Sequence, residues 1–378
     1  VVTLAATSAR ADVITPHLLY NIATISNLSG GAKVGTVGVG AAHLQMLVNG
    51  APLGAPDFSV FVDGLVTHGG APDGLVGDAQ GVSNIAASPA RRLYEGWVQY
   101  AQGGFSVLAG KYDLNSEFYR LSSAGLFLNS SFGIGPEYAL SGVAGPSIFP
   151  DPSLGLRFAY KPTDDVVLRV AVLNERAPDQ AGSDGALVIG EFAVLERTAD
   201  SLPPGQSRAR VGRNAGLPAY ENKLALGVWY DSKGNPDPLF PNVNHHAAGV
   251  YLIGDRMFGS LAGGTLTGFF QLGVSDGRVG RFGAYFGGGL TVVGMVPGRP
   301  NDEIGVAFAR AENGAHYRAL QQSLPGLADT NAETTVEASY LAQVTDWLAL
   351  QPDLQLVLNP NTTRGHALVF QFEAEISL

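Results

Sequence analysis

Cysteine is absent from this 378-residue chain. That excludes disulfides and thiolate metal or redox sites, though not an oxidising compartment. Charge is scarce: Asp, Glu, Lys and Arg make up 15% of the residues, against roughly 25% in ordinary soluble domains. The charge present sums to −10, which argues against nucleic acid as a partner. No stretch reaches the ~18 consecutive apolar residues of a membrane-crossing helix. The chain opens on no basic-then-apolar leader, the pattern expected of a processed or a never-exported protein. Enzyme signatures are missing too. Neither G-x-S-x-G nor H-E-x-x-H occurs, and no Ser and His share an outer face as a barrel lipase would need. His245 and His246 fall on alternating faces, a poor metal pair. GTVGVG (35–40) lacks dinucleotide-binding spacing, and NPDPLFPN (235–242) reads as a Pro-rich loop rather than a calcium site. No enzyme activity, metal or cofactor is expected, and no internal repeat or low-complexity tract is present.

What the chain has instead is glycine, 50 residues of it, and alternation. ALVFQFEAEISL (367–378) puts Leu368, Phe370, Phe372, Ala374, Ile376 and Leu378 on one face, and Gln371, Glu373, Glu375 and Ser377 on the other. Strand side chains alternate faces, so one face is apolar and the other wet. TTVEASYLAQVT (334–345) and LALQPDLQLVL (348–358) repeat the pattern. Sixteen such segments are predicted, at about 13–22, 33–49, 57–65, 91–100, 104–113, 153–161, 165–174, 185–196, 220–231, 245–254, 262–275, 281–294, 301–311, 331–345, 347–359 and 364–378. Several run to ~11–15 residues, longer than the ~5–6 usual in soluble sheets and enough for the ~9–11 of a tilted membrane strand.

A membrane protein without spanning helices has one remaining form, the closed barrel. The pattern therefore predicts an all-β, transmembrane antiparallel β-barrel of about sixteen strands, a single domain over 1–378. Sixteen is even, and short connectors (AQGG, KPTDD, PGRPND, TD) alternate with long ones at 66–90, 114–152 and 312–330. The 197–219 connector breaks that alternation, and Pro352 inside a strand calls for a bulge. Residues 1–12 read as an N-terminal periplasmic segment, and both termini as periplasmic. The alternative is a soluble all-β binding protein.

The wet face of such a barrel lines an aqueous lumen. Centring the hairpin 154–174 on Thr163 puts Arg157 directly opposite Arg169. Centring 91–113 near Gly103 sends Tyr94, Leu108 and Tyr112 outward and brings Glu95 against Lys111 inside, beside Trp97, with Asp113 one step on. Glu191 and Glu337 also read inward. Cations on one wall and carboxylates on others suit a neutral, hydroxyl-rich solute, whose every hydroxyl both donates and accepts. Trp97 or Trp229 offers a flat face for stacking. The same charges serve equally well if they only keep the lumen wet.

Several segments resemble one family. GDAQGVSNIAASPARRLYEGWVQY (77–100), LAGKYDLNSEFY (108–119), LFLNSSFGIGP (126–136) and GPSIFPDPSLGLRF (145–158) are similar to the carbohydrate-selective porins of the OprB type. LGVWYDS (226–232), VPGRPNDEIGVAFA (296–309) and LALQPDLQLVLNP (348–360) continue the likeness. The resemblance implies a bacterial outer-membrane porin that passes small neutral carbohydrates, mono- or disaccharides such as glucose, by passive diffusion. A general diffusion channel for other polar solutes is the alternative. It implies that 66–90 and 114–152 fold inward from the extracellular side as constriction loops. Asp78, Gln80 and Asn84 would then stand in the first, and Asn129, Ser130, Ser131 and Phe132 in the second. Lipid and lipopolysaccharide are the expected surroundings, and a monomer the expected state. One departure is the final residue, Leu378, where many outer-membrane barrels end in an aromatic.

Overall fold

The computed structural model describes residues 13–142, 145–174, 185–196, 220–324, 330–360 and 365–378. Sixteen antiparallel strands follow one another round a closed barrel. They are β1 (Ile14–Ser29), β2 (Gly35–Asn49), β3 (Phe58–Gly69), β4 (Ala90–Gln102), β5 (Phe105–Tyr112), β6 (Ser153–Thr163), β7 (Val166–Asn174) and β8 (Ala186–Glu196). The second half comprises β9 (Asn222–Pro236), β10 (Asn244–Leu261), β11 (Gly264–Ser275), β12 (Phe282–Val293), β13 (Glu303–Asn313), β14 (Ala332–Gln343), β15 (Leu348–Leu358) and β16 (Ala367–Ser377). Closure is made by β1 against β16, where Leu18 and Leu378 exchange backbone bonds of 2.8 and 2.9 Å. No sheet edge is left to seek another chain.

Period-two alternation decides which side chain meets which solvent. On β15, Leu354 and Leu356 stand 43% and 39% exposed on the outer wall, while Gln355 between them is buried inside. Phe370 and Phe372 continue that outer band on β16. The tight connections share one end of the barrel with the start of β1 and the end of β16. There an outward aromatic belt of Phe58, Tyr100, Phe105, Tyr160 and Trp347 marks a membrane interface. The long loops occupy the other end. They carry α1 (Asp73–Val76), α2 (Pro136–Ala139) and α3 (Ala315–Ser323).

Several sequence expectations need correction. β1, β3, β9 and β10 extend past their predicted ends, so the first long loop begins after Gly69. In the β4–β5 hairpin the ladder pairs Gln102 with Phe105, one residue out of step with a centre at Gly103. A one-residue slip exchanges faces, and Leu108 and Tyr112 accordingly lie buried inside. Tyr94 is the extra residue of a bulge between β3 and β4, which turns both it and Glu95 inward. Lys111 stands opposite Gly96 and Leu154 rather than Glu95. In β6–β7, Arg157 pairs with Ala171 and Arg169 with Ala159, because an irregularity between Tyr160 and Thr163 shifts the turn. The two arginines are therefore diagonal rather than opposite. Pro352 sits in a ladder that keeps its register and merely skips its pair with β14, so no bulge is needed. The segment 1–12 and the connector 197–219 lie outside the described residues.

Candidate functional site: the constricted lumen

The barrel is not hollow. The loop between β5 and β6 folds back inside it and brings Leu114, Phe118, Tyr119, Leu126, Phe127, Phe132 and Tyr138 into a buried core with the inner wall. That wall supplies Val167, Ala171, Leu173, Leu187 and Ile189, so the middles of β7 and β8 are apolar on both faces apart from Arg169 and Glu191. Burying each large side chain contributes roughly 1.5–3 kcal/mol. Tyr138 stacks on Trp229 with ring centroids 4.6 Å apart, which uses that indole for packing. Wall glycines make room. A Cβ at Gly273 would lie 1.8 Å from Glu137 Oε1, and one at Gly305 would lie 2.7 Å from the Leu126 side chain.

A folded-in loop also carries backbone N–H and C=O groups that must be paired. The inner wall meets them with two residue types. Carboxylates accept from the loop N–H groups. Glu191 on β8 accepts from Tyr119 N at 3.0 Å. Asp255 on β10 accepts from Ser122 N and Ser123 N at 3.1 and 3.3 Å. Glu337 on β14 takes Leu128 N and Asn129 N at 2.5 and 3.1 Å. Glu333 on the same strand takes Ala79 N and Gln80 N, at 3.0 and 2.9 Å, from the β3–β4 loop. Glutamine amides donate to the loop carbonyls: Gln271 to Phe132 O, Gln351 to Leu126 O, and Gln355 and Gln371 both to Val82 O. These four inward carboxylates are thus clamps.

Cations complete two of the clamps. Arg169 Nη1 and Lys223 Nζ lie 3.2 and 3.9 Å from Glu191 Oε1, and Lys223 also donates to Arg120 O at 2.7 Å. Arg281 lies 3.4 Å from Glu333. Within the loops, burial pushes Asp78 up to about 8, helped by the charges of Glu333 and Asp73. Burial alone lifts Glu137 on α2 to about 7. Both loops therefore carry a carboxyl that favours its neutral form when docked.

One arc of the inner wall stays wet. On β2–β5, His43, Gln45, Ser59, Phe61, Trp97, Gln99 and Ser106 keep intermediate exposure on the lumen side. Phe61 and Trp97 stack with centroids 5.1 Å apart and planes 27° from parallel. Across from them the loop presents Asn115, Ser116, Glu117 and Arg120, all partly exposed. Arg157 ties the two sides: its Nε lies 2.7 Å from Glu117 Oε2, and its Nη2 donates to Gln99 Oε1 at 2.7 Å. Tyr112 OH donates to the same Glu117 oxygen at 2.6 Å. Beside this arc, Glu95 accepts from Asp113 N, and Asp113 caps the following turn while accepting from Tyr94 OH. Asp63 accepts from Gln45 and pairs with His43, both at 2.9 Å. The arrangement offers ring faces, donors and acceptors to a passing solute.

The residues singled out from sequence divide accordingly. Trp97 borders the wet arc, and Arg157 reaches it through Glu117. Glu95 and Asp113 anchor the loop start beside it. Arg169, Glu191, Asp78 and Gln80 are buried where loop meets wall. Asn84 bonds back to the second loop, its N–H to Leu128 O and its amide to Phe127 O. Lys111, expected in the lumen, is buried near the end of β5 on the outward register, opposite Leu154. Sequence reading missed Phe61, Gln99, Asn115 and Glu117. Phe61 was findable, because it alternates with Ser59 and Asp63 on the face that turns inward.

The family model for "Carbohydrate-selective porin, OprB family" matches residues 73–378. In three dimensions the chain is similar to the high-pH structure of Pseudomonas putida OprB, with a TM-score of 0.81 and 18% identity over 97% of this chain and 94% of that one. It is also similar to the outer-membrane channel DcaP of Acinetobacter baumannii, with a TM-score of 0.56 and 10% identity over 97% of both chains. Comparison with curated proteins by sequence finds no match.

Proposed function

The chain belongs to the carbohydrate-selective porin family of the OprB type, a carbohydrate channel of the bacterial outer membrane, and we propose that its solute path is the wet arc on β2–β5. The observation that carries this reading is the division of the inner wall. Apolar packing and carboxylate clamps fill one side, while the stacked Phe61–Trp97 pair and Glu117, held by the buried Arg157, keep contact with water on the other.

A monosaccharide suits that strip. Its C–H face lies on an indole, and its hydroxyls exchange donors and acceptors with Gln99, Asn115, Glu117 and Arg120. Glu117 on the strip faces Arg157, and Asp63 faces His43, so a net-charged solute gains little field there and loses hydration. Passage is by diffusion, with no chemical step. In this reading the short-turn end and both termini face the periplasm. The loop end lies among lipopolysaccharide, and each chain works as a monomer with its own pore.

Liposome swelling with glucose, a disaccharide, an amino acid and a charged sugar acid tests it. Glucose is expected to enter fastest, with the sugar acid slower than its size predicts. Equal rates for solutes of equal size would leave a general diffusion channel.

A further inference from the structure

A cavity lies on the outer wall. Outward side chains there form a nearly continuous bulky band, interrupted on β10 and β11 by Gly254 and Gly268. Gly254 stands between Leu224 and Phe270 in the ladders, and Gly268 between Arg256 and Leu290. A Cβ at Gly254 would meet the Phe270 ring at 2.8 Å, and one at Gly268 the Phe258 ring at 2.6 Å. The glycines thus let both rings lie against the wall. The result is a cavity of about 510 Å³ bordered by Leu224, Phe258, Phe270 and Leu290. That size falls within the ~300–1,000 Å³ of ordinary ligand sites.

The short-turn end of this cavity is polar. Glu196, Asn222 and Arg256 follow one another across β8, β9 and β10, each opposite the next. Asn222 Nδ2 donates to Glu196 Oε2 at 2.6 Å, and its Oδ1 accepts from Met257 N at 3.0 Å. Asn222 thus fixes the Glu196 carboxylate, and the backbones of Glu196 and Arg256 stand two strands apart, about 9–10 Å at the usual strand spacing. Both charged side chains are exposed on the outer face. An outward charge costs little at the membrane interface and roughly 2–4 kcal/mol at the midplane. The polar row therefore sits at headgroup level, with the apolar floor reaching toward the acyl chains.

We propose that this cavity binds one phospholipid with a zwitterionic, phosphoethanolamine-type headgroup. Arg256 takes the phosphate through its fork of N–H donors. Glu196 takes the ammonium. One acyl chain lies over Gly254 between Leu224 and Phe270. The pairing of one cation with one anion selects this occupant: an anionic headgroup would satisfy Arg256 and be repelled by Glu196.

Native mass spectrometry of the detergent-purified protein, given equal amounts of phosphatidylethanolamine and phosphatidylglycerol, tests the assignment. Wild type is expected to keep one phosphatidylethanolamine per chain at activation energies that strip phosphatidylglycerol. Arg256→Gln should cut retention of both lipids about tenfold. Glu196→Gln should bring the two lipids to near-equal retention without loss of phosphatidylglycerol. Heat-modifiable migration confirms that each variant is a folded barrel. Equal retention of the two lipids on wild type, unchanged retention in Arg256→Gln, or a doubled protein mass with no lipid would overturn it.

Discussion

Gln99 on β4 and Gln355 on β15 are the same residue type on the same face of the same barrel, yet they do different work. Gln355 is wholly buried and bonds Val82 O and Asn129 of the two inward loops. Gln99 keeps partial exposure and bonds Arg157 at the edge of the water path. The first belongs to a dry arc running from β6 to β16, the second to a wet arc on β2–β5. Pointing inward is therefore not the same as lining the pore. In the dry arc, inward polarity exists to satisfy loop backbone. In the wet arc it is left for the solute.

The largest effect expected from breaking the comparison comes from the third environment, lipid. Leu356→Arg places a charge on the outer band and should cost roughly 2–4 kcal/mol. Most of the folded barrel should be lost on a heat-modifiability gel, while Ser59→Arg, on the wet arc, leaves folding intact. Next come the dry-arc clamps. Glu337→Ala orphans two buried loop N–H groups at about 1–3 kcal/mol each. The barrel survives, but single-channel conductance should rise and a disaccharide should enter liposomes several-fold faster.

A smaller effect is expected with pH. Asp78 and Glu137 rise from 3.8 and 4.5 to about 8 and 7 when the loops are docked. Groups with raised pKa values favour the docked state fully below their ordinary values and lose that contribution as pH climbs through the docked ones. Protection of residues 113–142 from protease should therefore be greatest near pH 4, fall between about pH 5 and 8, and level off above. Asp78→Asn with Glu137→Gln should flatten the profile. The smallest effect is Trp97→Ala. Removing one stacking face should weaken glucose block of ion current only a few-fold, from ~0.5–1.5 kcal/mol, with open conductance little changed.

Sequence made much of this legible, for a physical reason. Period two is exact, so Leu354, Leu356, Phe370 and Phe372 could be assigned outward before any fold was known. Register is not exact. The bulge at Tyr94 and the turn centred between Gly103 and Gly104 each moved side chains to the other face; the bulge leaves no clear composition signal, whereas the Gly-Gly pair does mark a two-residue turn. The clamps were hidden for another reason: an inward glutamate reads alike whether it meets water or a loop N–H. One clue was present. VVLRVAVLN on β7 is apolar on both faces apart from Arg169, and a strand buried on both sides reads that way. The same run that looks like a weak membrane strand marks the dry arc.

The absence of native cysteine makes the division between arcs directly measurable. Single cysteines at Ser59 and Ser106 on the wet arc, and at Ala309 and Thr335 on the dry arc, can be challenged with a small charged methanethiosulfonate while current is recorded. The account predicts rapid modification and a stepwise fall in conductance for Ser59→Cys and Ser106→Cys, and no reaction at Ala309→Cys or Thr335→Cys in a folded barrel. Comparable modification at all four positions would contradict it, because the inner wall would then be evenly wet and the loops would not fill the dry arc.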